Sequence, residues 1–149
     1  MNVGEICTRE VVFVNRETEV VEAAGLMRKH HVGSLVVVAD QLSERRPVGI
    51  VTDRDIAISV VATDLDAKAL TVGDIMSAGS VVIRDRDSIE DALRSMREYG
   101  VRRLPVVSES GALVGIVAID DLVAQLIEDL DSFAQLVRRE RTRESRARR

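Results

Sequence analysis

The stretch Val48-Gly49-Ile50-Val51 returns as Val114-Gly115-Ile116-Val117, and the Asp55 that follows it returns as Asp121, each 66 positions further along. Upstream, a second correspondence holds at 69 positions. It pairs Val3-Gly4-Glu5-Ile6 with Val72-Gly73-Asp74-Ile75, and Ala23, Met27, Leu35 and Val37 with Ala92, Met96, Leu104 and Val106. A register kept over a helix-like and a strand-like stretch indicates a duplicated unit. The groove between two related halves is a natural place for a small molecule.

Length and composition restrict the class of protein. A chain of 149 residues is long enough to bury an apolar core, and with 46% hydrophobic but only 2% aromatic residues that core is aliphatic. This composition is typical of strands covered by helices, and unlike that of aromatic-rich readers of carbohydrate or single-stranded nucleic acid. One cysteine excludes an internal disulfide, and no apolar run is long enough to span a membrane. Since no apolar leader opens the chain, we expect a cytoplasmic protein without membrane partners.

Each copy predicts the same series of elements, β-α-β-β-α. Short β-branched runs at 11–14 and 81–83 precede helices that we expect to begin at Thr18 and Asp87, the second with an Asp87-x-x-Glu90 capping box. Apolar strands follow at 35–38 and 48–51, and again at 104–107 and 113–117, separated by turns at 40–47 and 108–111. A further helix then begins near Asp55 or Asp121. We predict the first repeat over 1–63, a connector over 64–70, the second repeat over 71–130, and a helix end with a basic tail over 131–149.

Three motifs, in order and in both copies, resemble those of CBS domains. Gly49-Ile50-Val51-Thr52-Asp53-Arg54-Asp55 and Gly115-Ile116-Val117-Ala118-Ile119-Asp120-Asp121 resemble the closing Gly-Ile-Val-Thr-x-x-Asp motif. The segment Gly100-Val101-Arg102-Arg103-Leu104-Pro105-Val106-Val107 resembles the entry to the second strand, and Val72-Gly73-Asp74-Ile75-Met76 the opening motif. The resemblance covers residues 1–127 and implies a stand-alone tandem CBS pair, or Bateman module. The implied fold is α/β, with two β-α-β-β-α repeats packed in pseudo-two-fold symmetry and, here, a C-terminal helical extension.

CBS pairs are similar in binding adenosine-containing ligands such as AMP, ADP, ATP, NAD or S-adenosylmethionine in two clefts between the repeats. The resemblance implies that Thr52, Asp55 and Asp121 hold ribose hydroxyls, and that no catalytic cofactor is needed. It also implies that Arg102 and Arg103, which correspond to Gly33 and Ser34 of the first repeat, contact phosphate. Arg54 is a further candidate for phosphate. Ala118 stands where the motif has threonine, so the cleft built on Asp121 loses one ribose hydrogen bond, typically worth ~1 kcal/mol.

Each of these residues also has a structural alternative. Thr52 and Asp55 are good helix caps, and Arg54 could be an exposed first-turn residue. Arg102 and Arg103 could lie on a solvated strand edge or pair with an acidic helix.

We expect neither a metal site nor a catalytic residue. His30 and His31 are adjacent and therefore do not share a helix face. Cys7 corresponds to the apolar Met76, so we expect a small buried hydrophobe. No nucleophile with a neighbouring base is recognisable.

Charge and apolar residues are both distributed unevenly near the C-terminus. Leu122, Leu126, Leu130, Phe133 and Val137 form an apolar stripe on one long helix, which could pack on its own module or on a second subunit. The net charge is −4, yet seven arginines follow position 137 against Glu140 and Glu144. We expect this tail, 138–149, to be frayed and exposed. It is the only part of the chain with the charge to contact nucleic acid.

The sequence therefore favours a regulatory, non-enzymatic module that binds an adenine nucleotide between the repeats and signals to a separate effector protein. A homodimer is expected, since CBS modules commonly pair through their helices. Two alternatives remain. One is a structural or dimerisation module that binds no ligand, and the other is a nucleic-acid-associated regulator that acts through the basic tail.

Overall fold

The computed structural model describes residues 1–41 and 43–148, so Leu42 in the predicted 40–47 turn and Arg149 of the predicted tail lie outside the described residues. The first repeat consists of α1 (Val3–Ile6), β1 (Phe13–Val14), α2 (Val20–His30), β2 (Ser34–Gln41), β3 (Glu44–Thr52) and α3 (Asp53–Ile56), followed by a π-helical turn (Ala57–Val61). The second consists of α4 (Val72–Ile75), β4 (Ser77–Ala78), β5 (Ile83–Arg84), α5 (Ile89–Tyr99), β6 (Arg103–Val107), β7 (Leu113–Ala118) and α6 (Ile119–Ala147).

The strands form two sheets, with the orders β1-β2-β3-β4 and β5-β6-β7. In both sheets the first strand runs parallel to the second, and the second runs antiparallel to the third. A register shift lies between Val37 and Val38 and, at the corresponding place, between Val106 and Val107. The repeat therefore extends to irregular details of the backbone. The predicted α/β fold of two similar units followed by a C-terminal helix is confirmed.

The first segment of each repeat packs on the other repeat. Val3 of α1 is fully buried in the core that contains Leu104 and Val117, whereas Val72 of α4 is buried in the core that contains Leu35 and Val51. The backbone pairing shows the same exchange between the repeats. The strand β4 pairs with β3 of the first sheet, and an isolated bridge joins Thr8 to Ile116 of β7. Each apolar core is thus completed by the opposite repeat.

Two predicted helix starts are wrong by one residue. The N-cap position of α2 is Glu19 rather than Thr18, and its side chain makes no capping hydrogen bond, whereas α5 is capped by Ser88 rather than Asp87. The capping box of α5 joins Ser88 to Asp91: the Asp91 amide donates to Ser88 Oγ at 3.1 Å, and the Ser88 amide donates to Asp91 Oδ2 at 3.2 Å. The Asp87 carboxylate instead accepts the Arg84 amide at 3.0 Å.

Two further boundaries differ from the prediction. The strands β2 and β3 extend far into the expected 40–47 turn, with Gln41 paired to Glu44. The expected fraying of the basic tail is wrong over its described part, because α6 continues to Ala147. Arginine is a good helix former, and a helix already begun at Ile119 extends at low cost. Its residues from 138 to 148 are exposed, as expected. In the described part of the chain, no helix combines the length and the apolar character needed to cross a membrane.

Candidate functional site

A cavity of about 510 Å³ lies between the two repeats, and we refer to it as cleft A. Both repeats supply its lining: Gly33, Ser34, Ile50, Thr52, Asp53, Arg54, Asp55, Ser77, Gly79, Ser80, Val81, Gly100, Val101, Arg102 and Arg103. This volume is in the range of small-molecule sites, roughly 300–1,000 Å³. Cleft A therefore has room for a ligand the size of a nucleotide.

The end of β3 places Thr52 and Asp55 at the rim of cleft A. Thr52 is the N-cap of α3, and its hydroxyl oxygen accepts the Asp55 amide at 3.1 Å. In return, the Thr52 amide donates to Asp55 Oδ2 at 2.9 Å. Among the described residues no donor reaches Asp55 Oδ1, and the Thr52 hydroxyl proton is also free to donate. The two side chains are therefore helix caps and, at the same time, pre-oriented polar groups facing the cavity.

All three predicted phosphate residues line cleft A. Arg54 belongs to the first turn of α3, Arg102 precedes β6, and Arg103 begins β6. Arg102 lies 3.9 Å from Asp120, but the side chains of this pair are 78% and 79% exposed. An exposed ion pair of this kind is worth ~0–1 kcal/mol. The alternative role, an ion pair with an acidic helix, is therefore present but weak, and it leaves Arg102 available to an anionic ligand.

Asp121 lies in a different cavity, cleft B, of about 290 Å³. Its lining comprises Thr8, Glu10, Val11, Val12, His31, Val32, Gly33, Ser34, Arg103, Ile116, Ala118, Asp120 and Asp121. The Ala118 amide donates to Asp121 Oδ2 at 2.8 Å, as the Thr52 amide does to Asp55. The threonine hydroxyl has no equivalent here, and Arg103 is the single arginine in the lining. Cleft B is therefore smaller and has fewer groups suited to ribose and phosphate.

Four polar residues of cleft A were not predicted from the sequence as site residues: Ser34, Asp53, Ser77 and Ser80. Ser77 opposes Ile50 across the β3–β4 pair, and Ser80 Oγ donates to the Pro47 carbonyl at 2.9 Å. Both serines reach the cavity because the second repeat sends its first strand to the first sheet. The opening motif that ends at Met76 marks that strand, but periodicity alone does not show which sheet receives it.

In the described part of the chain, the histidines and the cysteine belong to no cluster suited to a metal ion. Within 1–41 and 43–148, no cluster of three or more His, Cys, Asp or Glu side chains is placed to hold a metal ion. His31 lines cleft B. Cys7 is half-buried, rather than buried as expected, and its Sγ lies 3.7 Å from the Gly4 carbonyl oxygen. Burial raises the pKa of the Cys7 thiol, which disfavours the reactive thiolate.

The duplicated architecture, the two inter-repeat clefts and the sequence motifs define one class of protein, a pair of CBS domains. The profile of the CBS domain matches residues 3–62 and 72–128, so this chain belongs to the CBS-domain family. The predicted family is confirmed.

Individual relatives agree with that assignment. Hypoxic response protein 1 of Mycobacterium tuberculosis is 38% identical over 128 residues, which are 86% of this chain and 82% of the relative. A CBS-domain protein from Burkholderia ambifaria has a similar structure, with a TM-score of 0.76 and 32% identity over 87% of this chain and 96% of its own. The structure of CBSX2 in complex with AMP gives a TM-score of 0.69 and 30% identity, covering 85% of this chain and 96% of that one.

Proposed function

We propose that this chain is a regulatory ligand-sensing module that binds an adenine nucleotide in cleft A. One observation carries the proposal. A single cavity between the repeats brings Thr52 and Asp55 of the first repeat together with Arg102 and Arg103 of the second. These are a hydroxyl and a carboxylate suited to ribose, and guanidinium groups suited to phosphate.

The chemistry of the lining assigns a part of the ligand to each group. Asp55 accepts the ribose hydroxyls in a charge-assisted contact, with Thr52 beside it. Arg54, Arg102 and Arg103 bind the phosphates, and the apolar lining, Ile50, Val81 and Val101, covers the adenine ring. This division favours AMP, ADP, ATP or NAD over an adenosine derivative that has no phosphate. The AMP bound to CBSX2 supports the same ligand class.

The position of cleft A suggests how binding regulates. A ligand held by both repeats favours the arrangement of the repeats in which all of its contacts are made. The ligand shifts the equilibrium between two arrangements of the repeats only to the extent that its affinities for them differ. We propose that an effector protein responds to this shift, in the cytoplasm and without turnover of the nucleotide. Cleft B binds more weakly, because Ala118 stands in the place that corresponds to Thr52 and only one of the three arginines lines it.

Calorimetric titration of the full chain with AMP, ADP, ATP, NAD and S-adenosylmethionine tests this proposal, with adenosine as the control that lacks phosphate. We expect micromolar affinity for at least one phosphate-bearing ligand, about one site per chain, and weaker binding of adenosine. A ligand at 100 times its Kd then stabilises the fold by ~2.7 kcal/mol, which thermal unfolding detects. If none of the five ligands binds or raises the melting temperature, the proposal is wrong and a structural module is favoured.

A further inference from the structure

The helix α6 stands clear of the module beyond its second turn. Leu122, the first residue of the predicted apolar stripe, is buried in the core of the second repeat. From Leu126 to Arg148, every residue except Ala134 is exposed. At 1.5 Å per residue, Arg138 lies about 24 Å along the helix from Leu122. The C-terminal part of α6 is therefore accessible on all sides.

Four arginines of this accessible part share one face of the helix, and we call them the arginine face. They line one surface depression together with Thr142: Arg138, Arg139, Arg143 and Arg146. No acidic side chain lines this depression. Glu140 and Glu144 are turned away from the centre of the face by roughly 130° and 170°, because α6 has 3.6 residues per turn. The arginines and the carboxylates of this segment are thus separated around the helix.

The charge of the arginine face is not neutralised within the chain. No ion pair among the described residues involves any arginine of α6. The acidic residue that precedes the face most closely is Asp131, which lies seven residues before Arg138, or about 10 Å along the axis. At physiological ionic strength, salt screens exposed charges over about 8 Å. The acidic body of the module therefore weakens this positive surface only slightly.

The apolar row of α6 lies on the opposite side of the helix from the arginine face. Leu130, Phe133 and Val137 are 58%, 67% and 54% exposed. Their mean direction is turned by about 180° from the centre of the arginine face, at 3.6 residues per turn. A partner that covers the apolar row would therefore leave the arginines accessible.

We propose that the arginine face binds the phosphate backbone of double-stranded DNA. Guanidinium groups bind phosphate in a bidentate, charge-assisted manner. An α-helix, about 10–12 Å across, fits the major groove of B-form DNA, which is about 12 Å wide. The major groove of duplex RNA is deep and narrow by comparison. Because contacts to phosphate carry no sequence information, this binding depends little on the base sequence.

Other polyanionic partners fit the arginine face less well. Proteins that bind single strands without sequence preference stack the bases on aromatic side chains, and the arginine face has none. A helix that lies on a membrane inserts an apolar face beside its basic residues. The stretch 138–148 contains no large apolar residue. The surface lies outside both clefts, so the proposal does not depend on nucleotide binding.

The salt dependence of DNA binding by the full chain tests the proposal. The probe is a short fluorescent duplex, and its anisotropy is measured at several salt concentrations. Neutralising four phosphates gives a slope of about −3.6 for log K against log salt, which is a loss on the order of 100-fold between 50 and 200 mM salt. Two duplexes of unrelated sequence should give the same slope.

Two double variants with equal changes of charge separate the arginine face from net charge. Arg139→Gln combined with Arg143→Gln removes two members of the face, so the slope should fall to about −1.8 and the affinity at low salt by about tenfold or more. The control combines Arg141→Gln with Arg148→Gln, on the same segment but outside the depression. It should change the affinity less than about twofold. Circular dichroism checks that both variants keep the helix.

Several outcomes would overturn the proposal. Equal losses in the two double variants would show attraction by net charge and no role for the arginine face. Absence of duplex binding at low salt would exclude DNA as the partner. Tighter binding of anionic vesicles or of a single strand than of the duplex would assign the surface to those partners instead. Asp55→Ala should leave the DNA affinity unchanged, so this proposal and nucleotide binding in cleft A can fail independently.

Discussion

Gly49 lies directly against the backbone of Ser77, so closely that a Cβ built on the glycine would stand 2.5 Å from the Ser77 carbonyl oxygen. Gly115 repeats the relationship, since its Cβ would stand 3.0 Å from the Thr8 carbonyl oxygen and 2.6 Å from Cys7 Sγ. Each glycine is the first residue of a Gly-Ile-Val motif. At each glycine, the first segment of the other repeat pairs with the strand that contains the glycine. The glycine of this motif is therefore required by the close approach of two backbones.

We expect Gly49→Ala to destabilise the fold by ~1–3 kcal/mol, the usual cost of overpacking, because a backbone carbonyl cannot move aside as a flexible side chain can. Gly25→Ala is the matched control. Gly25 lies inside α2 with open space around its Cβ position, so alanine there should stabilise by roughly 0.5–1 kcal/mol. Urea unfolding of the two variants measures both effects. Equal stability of the two variants would contradict the close approach.

Asp55→Ala should weaken nucleotide binding by about 10- to 100-fold, because a hydrogen bond to a charged group is worth ~1.5–3 kcal/mol. Asp121→Ala removes a carboxylate with the same role at the start of α6, so the folding cost of the two changes is similar. Its effect on the affinity of cleft A should be less than about twofold. Calorimetry on both variants decides the matter. Similar losses of nucleotide affinity in the two variants would mean that the carboxylates stabilise the fold and do not bind the ribose.

Replacing Arg102 and Arg103 together by glutamine should weaken ATP and AMP binding far more than adenosine binding, because only the nucleotides present phosphate charge to the guanidinium groups. It should also reduce the salt dependence of the ATP affinity. Arg97→Gln, at an exposed site on α5 outside both clefts, is the control and should change neither quantity. The variants are compared by titration at two salt concentrations. Equal losses for adenosine and ATP would give the arginines a structural role.

The Ser88 hydroxyl and amide, which both donate to the Asp91 carboxylate, hold the pKa of Asp91 below its ordinary value of 3.8. A carboxyl whose pKa is lower in the folded state stabilises the fold above the unfolded value, and this contribution disappears as the pH falls through the folded value. Ser88→Ala should therefore raise the pKa of Asp91, whereas Ser88→Thr should largely preserve it. A carboxyl NMR titration measures both. If the pKa of Asp91 does not rise in Ser88→Ala, the Ser88 hydroxyl is not the main cause of the low pKa.

The sequence predicts the features that depend on neighbouring residues. The return of Gly49-Ile50-Val51 as Gly115-Ile116-Val117 predicts the duplicated strands, and the spacing of Thr52 and Asp55 predicts their common place at a helix start. It does not predict the cap of α5, since Asp87 and Ser88 both suit that role. In the folded chain Ser88 forms the capping box with Asp91, whereas Asp87 accepts the Arg84 amide.

The features that depend on distant residues were not predicted. Ser77 and Ser80 reach cleft A through the pairing of β4 with β3, and local periodicity is the same whichever sheet receives a strand. The sequence also does not predict the helical state of the basic tail, for a related reason. Arginines on an exposed face show no apolar period, yet they extend a helix that begins at Ile119.

The exchange of first segments between the repeats also constrains the order in which the chain can fold during synthesis. The Val3 amide donates to the Asp87 carbonyl at 2.8 Å, a contact between positions 84 apart, and Val3 completes a core that includes Val117. The segment around Val3 therefore remains without its partners until the residues up to Val117 have been synthesised. Such distant contacts slow folding. They also join both halves into one cooperative unit, so we expect the two repeats to melt together in a single transition.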